Sequence, residues 1–313
     1  MSATFYPFLV IVAKKRYNMR KRTNVMNQSR KISFMIITAI YIAALATGTG
    51  VFVLLPGADV LWRLAAADGA ATVFVWLASL ITRNASVYDP YWSVAPPVLL
   101  AGLILYEKTL DTAALLIWLL LILWGIRLTA NWAVGFKGLH AQDWRYTDFE
   151  RAHPRLWPLI NLFGIQLMPT AVVFTAMLPA FYAVLRPAGF GFFTVPAALF
   201  TLAAVWLEGA ADAQLQRFRG GPQNVGKVND RGLWKYSRHP NYLGEILFWW
   251  GIFLTSLSAA PLPWWTVSGP VVVTALFLFV SIPMMEKRQL GTKPGYRLYR
   301  EKTGMLLPKI GEK

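Results

Sequence analysis

The chain is 313 residues long, and 56% of its residues are hydrophobic while only 15% are charged. Soluble domains carry about 25% charged residues, so this composition excludes an ordinary soluble enzyme. The absence of cysteine excludes thiolate nucleophiles, iron–sulfur clusters, cysteine-based zinc sites and a disulfide scaffold. With 31 Lys and Arg against 15 Asp and Glu, the net charge is +16, and the position of that charge has to be explained.

A cluster of basic residues precedes the first long apolar run. Eight Lys and Arg residues and no acidic residue lie between Lys14 and Lys31. Such clusters orient membrane proteins by the positive-inside rule and contact anionic lipid headgroups. No nucleic-acid-binding motif accompanies them. We therefore predict a basic cytoplasmic segment over residues 1–31, which could be disordered, and one membrane domain over residues 32–313, with membrane lipids and not nucleic acid as partners.

Apolar runs predict an all-α protein, a polytopic membrane bundle of seven to eight transmembrane helices, because a span needs about 17–25 mostly apolar residues. The clear runs are Ile32–Leu55, Thr112–Val134, Leu159–Leu185, Phe190–Gly209, Tyr242–Ser258 and Trp265–Met285, and the shorter ones are Ala70–Ile81 and Ser93–Tyr106.

The basic segments fix the expected orientation. With eight spans, all four segments that are rich in Lys and Arg fall on one side of the membrane, which predicts cytoplasmic termini. These segments are residues 14–31, 135–157, 211–240 and 286–313.

Polar residues inside the predicted spans are candidates for function, because they are costly to bury in a membrane. Arg127 and Asn131 lie one turn apart, so we expect both to face the interior. In the loop that follows, His140 and His153 are thirteen positions apart, which matches no metal-ligand spacing. The sequence therefore predicts no metal site.

The segment from residue 220 to residue 245 joins a basic loop to an apolar helix. Asn241 and Glu245 lie four residues apart and share one face of that helix, so both can point at one bound molecule. Arg238 and His239 lie at its N-terminus, where backbone donors and the helix dipole favour an anion. Upstream basic residues that could surround phosphates are Arg217, Arg219, Lys227 and Arg231.

The sequence from Gly232 to Glu245 resembles the signature of the steroid 5-alpha-reductase superfamily. It reads Gly-Leu-Trp-Lys-Tyr-Ser-Arg-His-Pro-Asn-Tyr-Leu-Gly-Glu. The resemblance is close over residues 205–313, where it includes Glu208-x-x-x-Asp212 and the tail segment Pro-Met-Met-Glu-Lys-Arg that ends at Arg288. Asp-Pro-Tyr-Trp at residues 89–92 is similar to a bacterial branch of the superfamily.

The resemblance implies an NADPH-dependent reductase that transfers hydride to a polarised C=C bond of a lipophilic, steroid-like, isoprenoid or other lipid substrate. It implies a dinucleotide bound among the late helices from the cytoplasmic side, and the chain has no strand–GxGxxG–helix unit. It also suggests a bacterial inner membrane. The residues that match cofactor-binding positions are Asp212, Arg217, Lys227, Arg238, His239, Asn241, Tyr242, Glu245, Lys287 and Arg288.

Such a reduction needs a hydrogen-bond donor aimed at the substrate carbonyl oxygen, where negative charge develops. Steroid reductases of the superfamily use a Gln-Glu pair on an early helix and a tyrosine, and the early predicted helices here have no Gln-Glu pair. The nearest substitute is Asp89 with Tyr88 or Tyr91, and we predict these three as the catalytic residues. An interfacial aromatic belt with Asp89 in a helix cap is the alternative.

Two other classes compete with the reductase. Isoprenylcysteine and phospholipid methyltransferases, which bind S-adenosylmethionine, share an Arg-His-Pro-x-Tyr-x-Gly element. Two adjacent carboxylates in the tail would favour that class, and here Glu286 stands alone. A transporter or lipid-binding module would pair interior charges across several helices. The sequence leaves the oligomeric state open.

Overall fold

The chain folds into helices joined by short loops. The computed structural model describes the backbone of residues 5–309 and the side chains of residues 29–309. Within these ranges the all-α prediction is confirmed, and an isolated bridge pairs Ser237 with Gly304. The helices are α1 Phe5–Leu54, α2 Val60–Thr82, α3 Tyr91–Glu107, α4 Thr112–Gly135, α5 Trp144–Ala152, α6 Trp157–Leu185, α7 Thr194–Gly220, α8 Pro240–Ala259, α9 Trp264–Thr292 and α10 Tyr296–Lys302.

Seven stretches among the described residues are long and apolar enough to cross a membrane. They are Ser29–Leu54 of α1, together with α2, α4, α6, α7, α8 and α9. The predicted multi-pass architecture of seven to eight helices is therefore confirmed with seven. The 17 residues of α3 lie at the lower limit for a span, so an eighth crossing rests on this helix. The side chains of residues 1–28 lie outside the described ones, so the cytoplasmic location predicted for residues 1–31 stays a prediction.

The predicted boundaries of the second span were wrong. The apolar run was expected over Ala70–Ile81, but α2 begins ten residues earlier and has 23 residues. The polar side chains that seemed to end the run are buried within the helix. Arg63 donates to the Phe52 carbonyl oxygen at 2.8 Å, and Asp68 accepts from a tyrosine hydroxyl.

The chain divides into two compact units. The first consists of the residues up to Tyr91 with Trp132–Met168, and the second of Trp92–Asn131 with the residues from Pro169 onward. Two of these boundaries fall inside α4 and α6, so no linker marks them in the sequence. The single membrane domain over residues 32–313 stays a prediction.

Glycines bring α8 close to α7 in the second unit. A Cβ atom on Gly244 would lie 2.5 Å from the Cβ of Glu208 and 2.8 Å from its backbone nitrogen. One heptad later, a Cβ on Gly251 would overlap Thr201 of α7. Small residues are the usual means by which membrane helices approach one another. This contact places the first turns of α8 beside the polar part of α7.

Candidate functional site

Three helices of the second unit bring six polar side chains together, which we call the polar cluster. Each helix contributes two residues spaced four apart, and this spacing places both on one helix face. The cluster consists of Arg127 and Asn131 from α4, Glu208 and Asp212 from α7, and Asn241 and Glu245 from α8.

Arg127 is the guanidinium at the centre of the polar cluster. Its Nη2 lies 2.7 Å from Glu208 Oε1, and its Nη1 lies 3.1 Å from Asp212 Oδ2. The third carboxyl group, Glu245 Oε2, is farther away at 3.9 Å. The prediction that Arg127 and Asn131 face the interior is confirmed, since both contact Asp212. Buried charges persist when they are paired and hydrogen-bonded in this manner.

Asp212 links α7 to both neighbouring helices. Its Oδ2 accepts from Asn131 Nδ2 at 2.9 Å, and its Oδ1 accepts from Asn241 Nδ2 at 3.2 Å. The side-chain oxygen of Asn131 in turn accepts a hydrogen bond from Gln216. Three residues predicted to bind the cofactor, Asp212, Asn241 and Glu245, thus lie with two α4 residues in the polar cluster.

Two tryptophan side chains hold Glu245, and sequence reasoning missed both. Trp124 Nε1 donates to Glu245 Oε2 at 2.9 Å, and Trp249 Nε1 donates to Glu245 Oε1 at 2.8 Å. Spacing could have indicated them, because Trp249 lies four residues after Glu245 and Trp124 lies three residues before Arg127. Both tryptophans were instead indistinguishable from the many apolar residues of their spans.

The polar cluster holds more carboxyl groups than cations. Among the described residues, one guanidinium faces three carboxyl groups, and Glu208 Oε2 has no hydrogen-bond donor. Glu208 and Glu245 are within hydrogen-bonding reach of each other. A proton held between them would satisfy both oxygens. The excess of carboxyl groups thus suits either a proton held between these two acids or a ligand group that donates hydrogen bonds or carries positive charge.

Basic residues lie at the C-terminal end of α7. Arg219 is within electrostatic range of Asp212 and of Tyr242, which makes it the arginine beside the polar cluster. Lys293 lies near Arg219, and burial together with this neighbouring charge lowers the pKa of the lysine. Arg219 is exposed, and so are four of the basic residues predicted to bind the cofactor, namely Arg217, Lys227, Lys287 and Arg288.

Arg238 and His239, which the sequence predicts near the cofactor phosphates, contact an acidic residue and the C-terminal segment. Arg238 Nε donates to Glu286 Oε1 at 2.7 Å, and His239 Nε2 lies 3.2 Å from the same oxygen. Arg238 Nη1 donates to the Thr303 carbonyl oxygen at 2.5 Å, and the backbone N–H of Arg238 donates to the Gly304 carbonyl oxygen. Their polar atoms are thus used to hold the C-terminal segment, and a distant acid such as Glu286 could not be foreseen.

The predicted catalytic residue Asp89 belongs to the first unit and contacts a different phenol from the two expected. Tyr146 Oη donates to Asp89 Oδ1 at 2.7 Å. Burial raises the pKa of Asp89 to about 6, while the hydrogen bond from Tyr146 and the charge of Arg145 oppose this rise. Burial also raises the pKa of Tyr146 well above its ordinary value. The Tyr146 phenol therefore keeps its proton and donates it in a hydrogen bond to the Asp89 carboxyl group.

Tyr91 forms a second acid–phenol pair in the same unit. Its hydroxyl donates to Asp68 Oδ1 at 2.8 Å, and Asp68 lies buried in the middle of α2. The ring of Tyr88 stacks on Tyr91 with centroids 5.4 Å apart, and Tyr41 meets Tyr91 edge-on. Asp68 was missed because it lies before the predicted apolar run Ala70–Ile81, whereas α2 begins at Val60.

Comparison with known proteins places the chain in a family. Residues 75–303, more than two thirds of the chain, match the family described as "Protein of unknown function (DUF1295)". The chain belongs to this family. The matched range contains the whole polar cluster and the Asp89–Tyr146 pair.

A relative of this family member occurs in a fungus. An uncharacterised protein of Schizosaccharomyces pombe is 26% identical over 262 residues, which cover 75% of this chain and 76% of the yeast protein. No solved structure matches the chain.

Proposed function

We propose that this protein is an NADPH-dependent membrane reductase that transfers hydride to a polarised C=C bond of a lipophilic substrate. The observation that carries the proposal is the polar cluster, in which three helices of apolar composition each contribute one pair of polar side chains. In a membrane protein, polar groups of this kind are costly unless they serve a function. The substrate class is a steroid-like, isoprenoid or other lipid enone.

The residues of the second unit fit the chemistry of the cofactor. The carboxyl oxygens of Glu245 and Glu208 suit carboxamide and ribose donors. Arg219, with Arg217 and Lys293 in the same region of the chain's second unit, supplies positive charge for phosphate groups. NADPH, when bound, supplies the hydride.

The first unit holds two candidates for the proton donor. The reaction consumes an enone, NADPH and one proton and yields a saturated ketone and NADP⁺, so a donor has to serve the carbonyl oxygen. A phenol or a protonated carboxyl group can do so. The pairs Asp89–Tyr146 and Asp68–Tyr91 each combine the two groups within 2.8 Å. Asp89, Tyr88 and Tyr91 remain the proposed catalytic residues, with Asp68 and Tyr146 added.

The methyltransferase is the second candidate. The excess of carboxyl groups over cations in the polar cluster would also suit the positively charged sulfonium of S-adenosylmethionine. That ligand has no phosphate, so its single carboxylate is the one anionic group that it offers to the basic residues around Arg219.

A transporter is the third candidate. It is favoured by the ion pairs of Arg127, which join side chains from α4, α7 and α8. A transporter would show cation or proton flux in vesicles without consuming NADPH.

An isotope experiment separates these activities. The purified protein, reconstituted in lipid vesicles, is incubated with a panel of lipophilic enones and NADPH that carries deuterium at the transferred position. A reductase places deuterium on the substrate β-carbon, as detected by mass spectrometry. Methyl-labelled S-adenosylmethionine in parallel samples reports the alternative. Label transfer from S-adenosylmethionine, with none from NADPH, would overturn the reductase.

A further inference from the structure

We propose that Trp124 and Trp249 are positioning residues, which orient the Glu245 carboxylate so that it accepts a hydrogen bond from an N–H group of the bound ligand. This inference rests on the proposed function, in which that N–H group is the carboxamide of the nicotinamide ring. It assigns a role to two tryptophans that would otherwise be read as apolar packing residues of their helices.

The geometry is that of a carboxylate held at both oxygens. The two indole N–H groups donate to different oxygens of Glu245, at 2.9 Å from Trp124 and 2.8 Å from Trp249. All three side chains are at most 2% exposed. An indole N–H can only donate, so each tryptophan favours an oxygen that accepts.

The neighbouring arginine does not perform this function. Arg127 lies 2.7 Å from Glu208 and 3.1 Å from Asp212, but 3.9 Å from Glu245. Its charge therefore attracts Glu245 without a short hydrogen bond to define the orientation of the carboxylate. The two indoles provide the short bonds to this group.

The rings that carry these N–H groups are themselves fixed by packing. Trp124 stacks on Phe248 with ring planes 4° apart and centroids 5.0 Å apart. Trp124 and Trp249 meet edge to face at 5.1 Å. Offset and edge-to-face contacts of this kind are favourable, and they limit how far each indole can turn. Each indole uses one lone pair of a Glu245 oxygen, and the remaining lone pairs can accept further hydrogen bonds within the polar cluster, where Glu208 also lies within reach.

The test replaces each indole by a ring without the N–H group. Trp124→Phe, Trp249→Phe and the double variant are compared with Trp250→Phe as the matched control. Trp250 follows Trp249 directly, and its indole donates to Thr274 Oγ1 at 3.1 Å, away from Glu245. The control therefore removes a tryptophan hydrogen bond from the same helix without touching the carboxylate.

Two ligands distinguish positioning from a general loss of structure. Calorimetry on the detergent-purified protein measures the Kd of NADPH and the Kd of 2′-phospho-ADP-ribose, which lacks the nicotinamide ring. Each single variant, Trp124→Phe or Trp249→Phe, should bind NADPH about tenfold more weakly, as expected for the loss of one hydrogen bond to a charged group. Binding of 2′-phospho-ADP-ribose should be unchanged in both, and the control should match the wild type for both ligands.

The outcomes are separable. If the variants bind NADPH and 2′-phospho-ADP-ribose more weakly by the same factor, the tryptophans only support the fold. Unchanged NADPH binding in the double variant would also overturn the positioning role. In both cases the reductase proposal stands. A wild-type protein that binds neither ligand would overturn the reductase proposal and the positioning role with it. In the protein without ligand, Glu245→Gln should shift the hydrogen-bond-sensitive indole bands of the ultraviolet resonance Raman spectrum, and unshifted bands would contradict the geometry.

Discussion

Asp212 lies 3.1 Å from Arg127, and it is the carboxylate through which α7 contacts both α4 and α8. Asn131 and Asn241 donate to its two oxygens from opposite neighbours. Because Arg127 is mostly buried, its charge depends on Asp212 and Glu208 for compensation. The polar cluster is therefore a structural junction as well as the candidate ligand site.

Removal of the Asp212 charge should weaken both the fold and the ligand site. Asp212→Asn keeps the side-chain volume but leaves Arg127 with one close carboxyl partner, which we expect to cost about 3 kcal/mol, since breaking a buried pair is costly. NADPH affinity should fall by about tenfold or more. Thermal unfolding and calorimetry measure the two effects. The control is Asp230→Asn, an exposed acid in the following loop, and the same effect there would contradict a specific role for Asp212.

A single methyl group should separate α7 from α8. Gly244→Ala places a Cβ atom 2.5 Å from the Glu208 Cβ, so the helices have to move apart, at an expected cost of about 1–3 kcal/mol. Gly102→Ala in α3 is the matched control, because no atom lies within 4 Å of the added Cβ. The unfolding temperature in detergent should fall for the first variant only. A tolerated Gly244→Ala would show that the close approach is not needed.

Protonation of Asp89 should make stability depend on pH. Burial raises its pKa from 3.8 to about 6, so between these values the folded state binds more protons than the unfolded state. Its contribution to stability is complete below about pH 4 and is lost as pH rises through 6, which amounts to roughly 3 kcal/mol. Asp89→Asn should flatten the pH dependence in this window. Asp148→Asn, an exposed acid of α5, should leave it unchanged.

The two acid–phenol pairs can be tested as proton donors one at a time. Tyr91→Phe and Tyr146→Phe each remove only the hydroxyl that contacts a carboxylate. Loss of the donor should lower turnover by about a hundredfold while NADPH affinity stays within twofold. Tyr236→Phe serves as the control, because this ring is 56% exposed. If neither variant loses turnover, neither pair is the donor.

Arg238 should protect the C-terminal segment rather than bind phosphate. Arg238→Ala removes the donor to Glu286 and to the Thr303 carbonyl oxygen, so hydrogen exchange over residues 296–304 should become faster. NADPH affinity should change by less than twofold. Lys235→Ala, an exposed neighbour, controls for loss of charge. A large loss of NADPH affinity with unchanged exchange would restore the phosphate role predicted from the sequence.

The sequence predicted the parts of the site that local spacing determines. Two polar residues four apart on a helix share a face, and this rule alone indicated that Asn241 and Glu245 act together and that Arg127 and Asn131 face inward. Apolar runs likewise predicted most of the spans. The order in which helices pack is not local, so the meeting of the three pairs at Asp212 became visible only in the structure.

The contacts that the sequence did not reveal share a physical cause, which is a polar group whose partner lies far away in the chain. Asp68 fell outside the predicted apolar run Ala70–Ile81, and its partner Tyr91 is 23 residues away. The partner of Arg238, which the sequence predicts near phosphates, is Glu286, 48 residues later. Local spacing cannot indicate such a partner.

The most direct test of the central proposal is calorimetric binding to the detergent-purified wild-type protein, with NADPH and S-adenosylmethionine titrated separately. The polar cluster with its neighbouring basic residues predicts micromolar binding of NADPH and none of S-adenosylmethionine. Binding of S-adenosylmethionine alone would contradict the reductase and favour the methyltransferase, and binding of neither would leave the transporter as the candidate to test.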